Sequence, residues 1–146
     1  MGACASVIVV DDDVEVTRTF EQILRRQGFD VRTANSAEEG LWKATFQSAD
    51  AIILDLRMPA LDGLDFLRQL RSDSRHDHTH VAIVTGDCLI GDREIEALIQ
   101  LGASVHYKPM WLEDLVELVY KLIGPGVSVP SRDRVSDSAL GGPPRR

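Results

Sequence analysis

The spacing of apolar and polar residues along the chain predicts five strands that alternate with five helices. A short apolar run bounded by turn residues is typical of a buried strand. Such runs occupy residues 6–10, 31–34, 51–54, 81–84 and 105–107. Apolar residues at helical spacing follow each run. This alternation predicts an α/β domain with a parallel sheet, helices on both faces and right-handed crossovers.

Capping and turn residues mark where the predicted helices begin and end. Ser36 and Glu39 have the spacing of a capping box, which opens the second helix. Gly28 and Gly102 are good stops for the first and fourth helices, because glycine readily adopts the left-handed conformation that ends a helix. The last helix carries an apolar stripe over residues 112–123.

Length and composition limit the classes of function. The 146 residues suffice for one domain with a core, and the net charge of −7 argues against a nucleic-acid-binding surface. No apolar run is long enough to span a bilayer and no secretory signal is present, so we expect a cytoplasmic protein. Cys4 and Cys88 are expected to be reduced thiols at opposite ends of the sheet.

The two ends of the chain differ in composition from its centre. Residues 124–146 are rich in glycine, proline, serine and arginine and are predicted to form a disordered tail, which leaves residues 5–123 as the folded domain. The tail starts no new periodic segment, so a stand-alone domain is favoured over a piece of a longer protein. The first six residues fit an acylation pattern, but a short lead into the first strand is the simpler interpretation.

Polar side chains follow four of the predicted strands at their carboxyl ends. Asp11 and Asp12 follow the first strand, Asp55 the third, Thr85 the fourth and Lys108 the fifth. The carboxyl ends of parallel strands meet at one edge of a sheet, where open α/β sheets bind their ligands. We therefore expect three carboxylates, a hydroxyl and an amine to converge there.

This set of side chains suits phosphoryl transfer. Three adjacent carboxylates repel one another, and a hard divalent cation such as Mg²⁺ removes the repulsion while binding a phosphoryl oxygen. A lysine and a hydroxyl can bind the other phosphoryl oxygens, and one carboxylate can act as the nucleophile and become an acyl phosphate.

Four motifs in this order and spacing, VVDDD, LDLRMPALDG, VTGD and YKP, resemble the receiver domain of two-component response regulators. The likeness covers about residues 6–123. It implies a flavodoxin-like fold in which five parallel strands have the order 2-1-3-4-5 and helices cover both faces. It also implies a cis peptide bond between Lys108 and Pro109.

The resemblance further implies that Asp55 accepts a phosphoryl group from a phosphohistidine of a sensor histidine kinase or a histidine phosphotransfer protein. Thr85 and Lys108 would contact that group, and the signal would leave through the fourth helix, fifth strand and fifth helix. The implied cofactor is Mg²⁺, for which Mn²⁺ could substitute. Its implied ligands are Asp11, Asp12, Asp55 and the backbone carbonyl of Arg57.

One position departs from the family pattern. Receivers usually carry tyrosine or phenylalanine three residues before the lysine, and that position is Val105 here. Tyr107 lies nearby, but its role is open, so the usual coupling of threonine to an aromatic side chain is in question. Trp111 opens the last helix and is predicted to contact a partner on the switch surface, with partial packing as the alternative.

Two charged residues are predicted to flank the mouth of the pocket. Arg57 and Asp87 each lie two residues past a site residue, Asp55 and Thr85 respectively. We hypothesise that they pair across the mouth and restrict the water that hydrolyses the acyl phosphate. The alternative is two solvated charges that contribute little.

Other interpretations of these residues stay open. Asp11, Asp12 and Asp13 also resemble the first motif of haloacid-dehalogenase-type phosphatases, with Asp11 as nucleophile, although the Met-Pro turn after Asp55 is then unexplained. A flavin-binding flavodoxin is disfavoured because three acids replace the phosphate loop. A receiver that binds partners without phosphorylation is the third alternative.

Three alternating histidines form the last candidate site. His76, His78 and His80 would share one face of an extended segment and could hold zinc. The simpler interpretation is a polar loop that enters the fourth strand at the opposite end of the sheet from Asp55.

Overall fold

The computed structural model describes residues 4–123. Five strands alternate with five α-helices along this part of the chain, and a 3₁₀ helix, Ser74–His76, precedes the fourth strand. The elements are β1 (Ser6–Val10), α1 (Val14–Arg26), β2 (Asp30–Ala34), α2 (Ala37–Phe46), β3 (Ala51–Leu54), α3 (Gly63–Arg71), β4 (His80–Thr85), α4 (Asp92–Gln100), β5 (Ala103–Tyr107) and α5 (Leu112–Ile123).

The strands form one parallel sheet in the order β2-β1-β3-β4-β5, which confirms the predicted fold. Residues of the central strands point alternately to the two faces of the sheet. One face packs on α2, α3 and α4, where Phe66 and Leu98 are fully buried, and the other packs on α1 and α5 through Leu24 and Leu115. Because both faces are covered, the central strands are continuous apolar runs.

The register of the strands brings their carboxyl ends to one edge of the sheet. Val10 pairs with both Ala34 and Leu54, and Thr85 pairs with Tyr107. Hydrogen bonds continue the pairing past the strands, since the N–H of Asp55 donates to the carbonyl of Val10. The residue that follows each strand therefore lies beside its neighbour on this edge.

Side-chain caps fix the N-termini of the first three helices. The carboxylates of Asp13 and Asp62 accept N–H bonds at the starts of α1 and α3. Ser36 accepts the N–H of Glu39 as predicted, but the Glu39 carboxylate reaches back to the N–H of Asn35 rather than to that of Ser36. The predicted capping box is thus formed with a shift of one residue on its return bond.

Some predicted strand boundaries were wrong by one or two residues. The fifth strand begins two residues earlier than predicted, at Ala103, because its hydrogen bonds to β4 extend past the apolar run. α1 begins at Val14 because Asp13 caps it. Trp42 is largely exposed and its ring lies against Phe46, 4.9 Å between ring centroids.

The zinc interpretation requires an extended histidine segment, but the segment is partly helical in the structure. His76 ends the 3₁₀ helix and is buried, whereas His80 begins β4 and is exposed. Within residues 4–123, the three candidate metal ligands that lie close enough together to share an ion are Asp11, Asp12 and Asp55, and none is a histidine. The simpler interpretation of a polar connection, partly helical, is therefore the correct one.

Both cysteines are free and exposed, Cys4 before β1 and Cys88 after β4. Of the helices in the described part of the chain, none has the length and apolar character needed to cross a bilayer. The predicted tail, residues 124–146, lies outside the described residues, as do residues 1–3 of the acylation pattern.

Candidate functional site

An acidic cluster lies at the carboxyl edge of the sheet. Asp11 and Asp55 follow the neighbouring strands β1 and β3 and are buried, whereas Asp12 is exposed. One carboxylate oxygen from each of the three lies within 4.8 Å of the others. The structure therefore brings together the three acids that the sequence analysis selected.

A single lysine faces this cluster. Lys108 Nζ lies 2.8 Å from Asp11 Oδ2 and 3.5 Å from Asp55 Oδ1. Its backbone N–H donates to the carbonyl of Thr85 at 2.8 Å, and its peptide bond to Pro109 is cis, as predicted. One positive charge thus stands against three carboxylates.

The surplus of negative charge shifts the pKa values of Asp55 and Lys108. Burial and the nearby charge of Asp11 raise the pKa of Asp55 to about 6, although Lys108 opposes the shift. Burial alone would lower the pKa of Lys108, but its hydrogen bond to Asp11 and the carboxylate charges raise it. Asp55 is consequently a carboxylate whose charge is poorly compensated by the protein.

Hydrogen bonds in the β1–α1 loop orient Asp11. Its Oδ1 accepts the N–H of Asp13 at 2.9 Å, and its carbonyl accepts Asn35 Nδ2 at 3.0 Å. Asn35 also donates to Thr17 Oγ1 at 3.1 Å, so this side chain joins the loop to α1. Asn35 was not predicted as a site residue, because nothing in the spacing of residues around β2 singles it out.

The turn after Asp55 packs tightly against that residue. A Cβ atom on Gly63 would lie 2.8 Å from the carbonyl oxygen of Asp55 and 2.9 Å from Leu56 Cα, so only glycine fits. Ala60, in the same turn, has a φ of 68°, which is uncommon for a residue with a side chain. The Asp-Gly pair of the motif therefore serves close backbone packing as well as the start of α3.

Thr85 ends β4 next to the cluster and is fully buried. Its Oγ1 accepts the N–H of Asp87 at 3.0 Å, so the first turn of the β4–α4 loop is fixed by this hydroxyl. The predicted hydroxyl is thus at the edge of the sheet, held by the loop that follows it.

Arg57 pairs with two acids rather than one. Its Nε lies 2.9 Å from Asp87 Oδ2, which confirms the predicted pairing, and its two terminal nitrogens each lie 2.9 Å from one oxygen of Glu94. Hydrogen bonds with Glu94 and Asp87 raise the pKa of Arg57. The N–H of Leu89 and the Arg57 guanidinium lower the pKa of Asp87. Glu94 was missed, since α4 carries several acids and the sequence favours none of them.

The three predicted switch residues occupy different environments. Val105 is partly buried on the face of the sheet that packs on α2, α3 and α4, and it pairs in register with Ile83. Tyr107 is 46% exposed and is the register partner of Thr85. Trp111 is 67% exposed, and its predicted contact with a partner stays a prediction.

A family model described as the response regulator receiver domain matches residues 7–120. The chain belongs to this family. The receiver domain is 37% identical over 118 residues to the transcriptional regulatory protein PrrA of Mycobacterium tuberculosis, a match that covers 80% of this chain and 49% of PrrA. The chain therefore spans about half the length of the curated relatives it matches.

Solved structures agree with this assignment. A response regulator receiver protein from Pseudomonas putida has a TM-score of 0.75 and 32% identity, covering 83% of this chain and 99% of that one. A CheY-like receiver from Methanospirillum hungatei has a TM-score of 0.77 at 24% identity, covering 83% and 94%, and supports the fold alone. Membership of the receiver family is consistent with a phosphorylation-dependent signalling switch, and it does not favour the alternatives of a phosphatase or a phosphorylation-independent module.

Proposed function

We propose that Asp55 is the phosphoacceptor of this receiver domain. Its donor would be a phosphohistidine of a sensor histidine kinase or a histidine phosphotransfer protein. The observation that carries the proposal is the buried Asp55 carboxylate, which lies between two other acids and Lys108 with its charge poorly compensated. A pKa of about 6 leaves this carboxylate mostly ionised at neutral pH and therefore nucleophilic.

The proposed reaction is a displacement at phosphorus. A carboxylate oxygen of Asp55 attacks the phosphoryl group, and the bond between phosphorus and the histidine nitrogen breaks. The electron pair of that bond returns to the imidazole, which takes up a proton. The product is an acyl phosphate on Asp55, in which a carboxylate with one charge is replaced by a group with a charge of about −2.

The donor set of the acidic cluster fits a hard divalent cation. Asp12 and Asp55 would hold Mg²⁺, or Mn²⁺ in its place, with Asp11 acting directly or through water and Arg57 contributing its backbone carbonyl. When bound, the ion neutralises carboxylate charge and binds a phosphoryl oxygen. The burial of Asp11 and Asp55 supports this assignment, because a single lysine does not balance the three acids.

Lys108 and Thr85 have supporting roles in this proposal. Lys108 Nζ already lies 3.5 Å from Asp55 Oδ1, so it is positioned to bind a phosphoryl oxygen as negative charge develops there. Thr85 would donate its hydroxyl to a second oxygen. The change would be passed to the surface formed by α4, β5 and α5, which carries Val105, Tyr107 and Trp111.

Arg57 and Asp87 are proposed to lengthen the lifetime of the acyl phosphate by restricting water at the mouth of the site. Their direct pairing supports this role. Arg57→Ala should therefore shorten the half-life of phospho-Asp55. An unchanged half-life would contradict it.

Further features of the proposal concern the whole protein. The folded domain extends over residues 5–123, acts in the cytoplasm, and signals through protein contacts rather than through nucleic acid or membrane. Its only chemistry is phosphorylation of itself from a donor and loss of that phosphoryl group. The downstream protein partner is unidentified.

The test is intact-mass measurement after incubation with acetyl phosphate, with and without Mg²⁺. Wild type should gain one phosphoryl group only when Mg²⁺ is present, and Asp55→Asn should gain none. Asp92→Asn is the matched control, because this exposed acid lies at the same end of the sheet but outside the cluster. Absence of the adduct on wild type, or its presence on Asp55→Asn, would contradict the proposal.

A further inference from the structure

Glu94 forms the firmest contact between α4 and the segment that follows Asp55. Its two carboxylate oxygens accept from the two terminal nitrogens of Arg57, each at 2.9 Å. This bidentate arrangement is the geometry in which arginine binds a carboxylate most strongly. The side chain of Glu94 is only 22% exposed, so the pair is better shielded from solvent than the helix-surface pairs Arg18–Glu15 and Lys121–Glu117.

The first turn of α4 has no cap of its own. Its N-cap position is Gly91, which offers no side-chain acceptor, whereas Asp13, Ser36 and Asp62 cap the first three helices. Within residues 4–123, the contact with Arg57 is therefore the side-chain ion pair that joins this turn to the rest of the domain, beside the apolar packing of Ile95. Asp87, in the preceding loop, accepts a hydrogen bond from the same guanidinium.

The charge balance of this group is already unfavourable to further negative charge. One guanidinium is shared by two carboxylates, and Arg57 follows Asp55 by two residues, a span of at most about 7 Å. Phosphorylation of Asp55 adds about one negative charge within reach of that guanidinium. Arginine binds phosphate in the same bidentate manner as carboxylate, so the phosphoryl group competes with Glu94.

We infer that Glu94 is a positioning residue that holds Arg57 in the unphosphorylated domain, and that the phosphoryl group on Asp55 draws Arg57 away and frees the first turn of α4. The contact then acts as a latch between the phosphoacceptor segment and the switch surface. The inference rests on the proposed phosphorylation of Asp55 and adds to it a specific route from the site to α4.

Hydrogen–deuterium exchange in the unphosphorylated full chain tests the first half. The amides to follow are those of residues 95–98, since the N–H of Ile95 is the first to bond within the helix, to the carbonyl of Gly91. Glu94→Gln should exchange about two- to fivefold faster than wild type, the range expected for loss of one partly exposed ion pair. The matched control is Glu96→Gln, an exposed acid on the same helix, which should exchange as wild type does. Equal exchange in Glu94→Gln and wild type would overturn the latch.

Exchange in the presence of Mg²⁺ and beryllofluoride, a mimic of the phosphoryl group, tests the second half. Protection of residues 95–98 in wild type should fall to the level of Glu94→Gln, whose own exchange should change little. Unchanged protection in wild type, or an equal fall in both proteins, would overturn the release step.

A double-mutant cycle separates the latch from unrelated effects of either substitution. Arg57→Gln and Glu94→Gln should each speed exchange in the unphosphorylated chain, and the double variant should be no faster than Arg57→Gln alone. Additive effects would show that the two residues act independently. These measurements need no phosphorylation, so they distinguish failure of the latch from failure of the Asp55 proposal, which would appear as a missing mass adduct.

Discussion

In the described part of the chain, a partly buried cation lies at each end of the sheet, and the two cations differ in their partners. At the carboxyl edge, Lys108 faces the carboxylates of Asp11 and Asp55. At the opposite end, Arg71 donates Nε to the carbonyl of Leu101 at 2.8 Å and a terminal nitrogen to that of His76 at 2.6 Å.

The pKa values of the two cations move in opposite directions. The pKa of Lys108 is raised by the acids around it despite burial, whereas burial lowers that of Arg71, with Asp77 opposing. Arg71 binds backbone carbonyls at the ends of two helical segments. The carboxyl edge keeps a surplus of negative charge, since three carboxylates face Lys108, and this surplus favours the binding of a cation.

Substitution of Lys108 should have the largest effect on function. Lys108→Met removes the cation placed to stabilise charge on the phosphoryl group, so adduct formation from acetyl phosphate should slow by about 10²–10³-fold. Arg71→Met, assayed well below its unfolding temperature, should react at the wild-type rate. A comparable loss of rate in Arg71→Met would break the distinction between the two ends.

Substitution of Arg71 should have the larger effect on stability. Arg71→Met leaves two carbonyls without their charged donor, and we expect the free energy of unfolding to fall by about 2–4 kcal/mol. Urea denaturation followed by circular dichroism measures this. A loss below about 0.5 kcal/mol, within the scatter of neutral surface substitutions, would mean that water replaces the guanidinium at no cost.

The smallest predicted effect is a gain in stability at the carboxyl edge. Asp55→Asn removes one of three repelling carboxylates, so in the presence of a chelator at pH 7 it should raise the free energy of unfolding by about 1–2 kcal/mol.

The sign of the pH dependence follows from the raised pKa of Asp55. The folded protein holds a proton on Asp55 up to about pH 6, whereas the unfolded chain loses it near its ordinary value of 3.8. This group therefore lowers stability as the pH rises from about 4 to 6, and that decline should be absent in Asp55→Asn. An equal decline in both proteins would show that other groups cause it.

The sequence predicted those parts of the site that follow from strand order alone. Asp11, Asp55, Thr85 and Lys108 each come directly after an apolar run, and parallel pairing brings such positions together whatever the details of packing. Glu94 could not be found in this way. Its position depends on where α4 lies over the sheet, and the other acids of α4 have the same local sequence pattern.

Backbone detail was also beyond the sequence pattern. Ala60 has a left-handed φ of 68°, although alanine has no local preference for that conformation. The carbonyl of His76, at the end of the 3₁₀ helix, accepts from the Arg71 guanidinium, a contact that the hydropathy pattern does not indicate. The extra residues of β5, Ala103 and Ser104, are set by pairing with β4 rather than by hydropathy.

Reduction of the phosphorylated domain with borohydride decides whether Asp55 or a neighbouring acid carries the phosphoryl group. Borohydride converts an acyl phosphate to homoserine, which peptide mapping then locates. We expect homoserine at residue 55 in the sample with Mg²⁺ and none without it. Homoserine at residue 11 would contradict phosphorylation of Asp55 and support a phosphatase-like nucleophile instead.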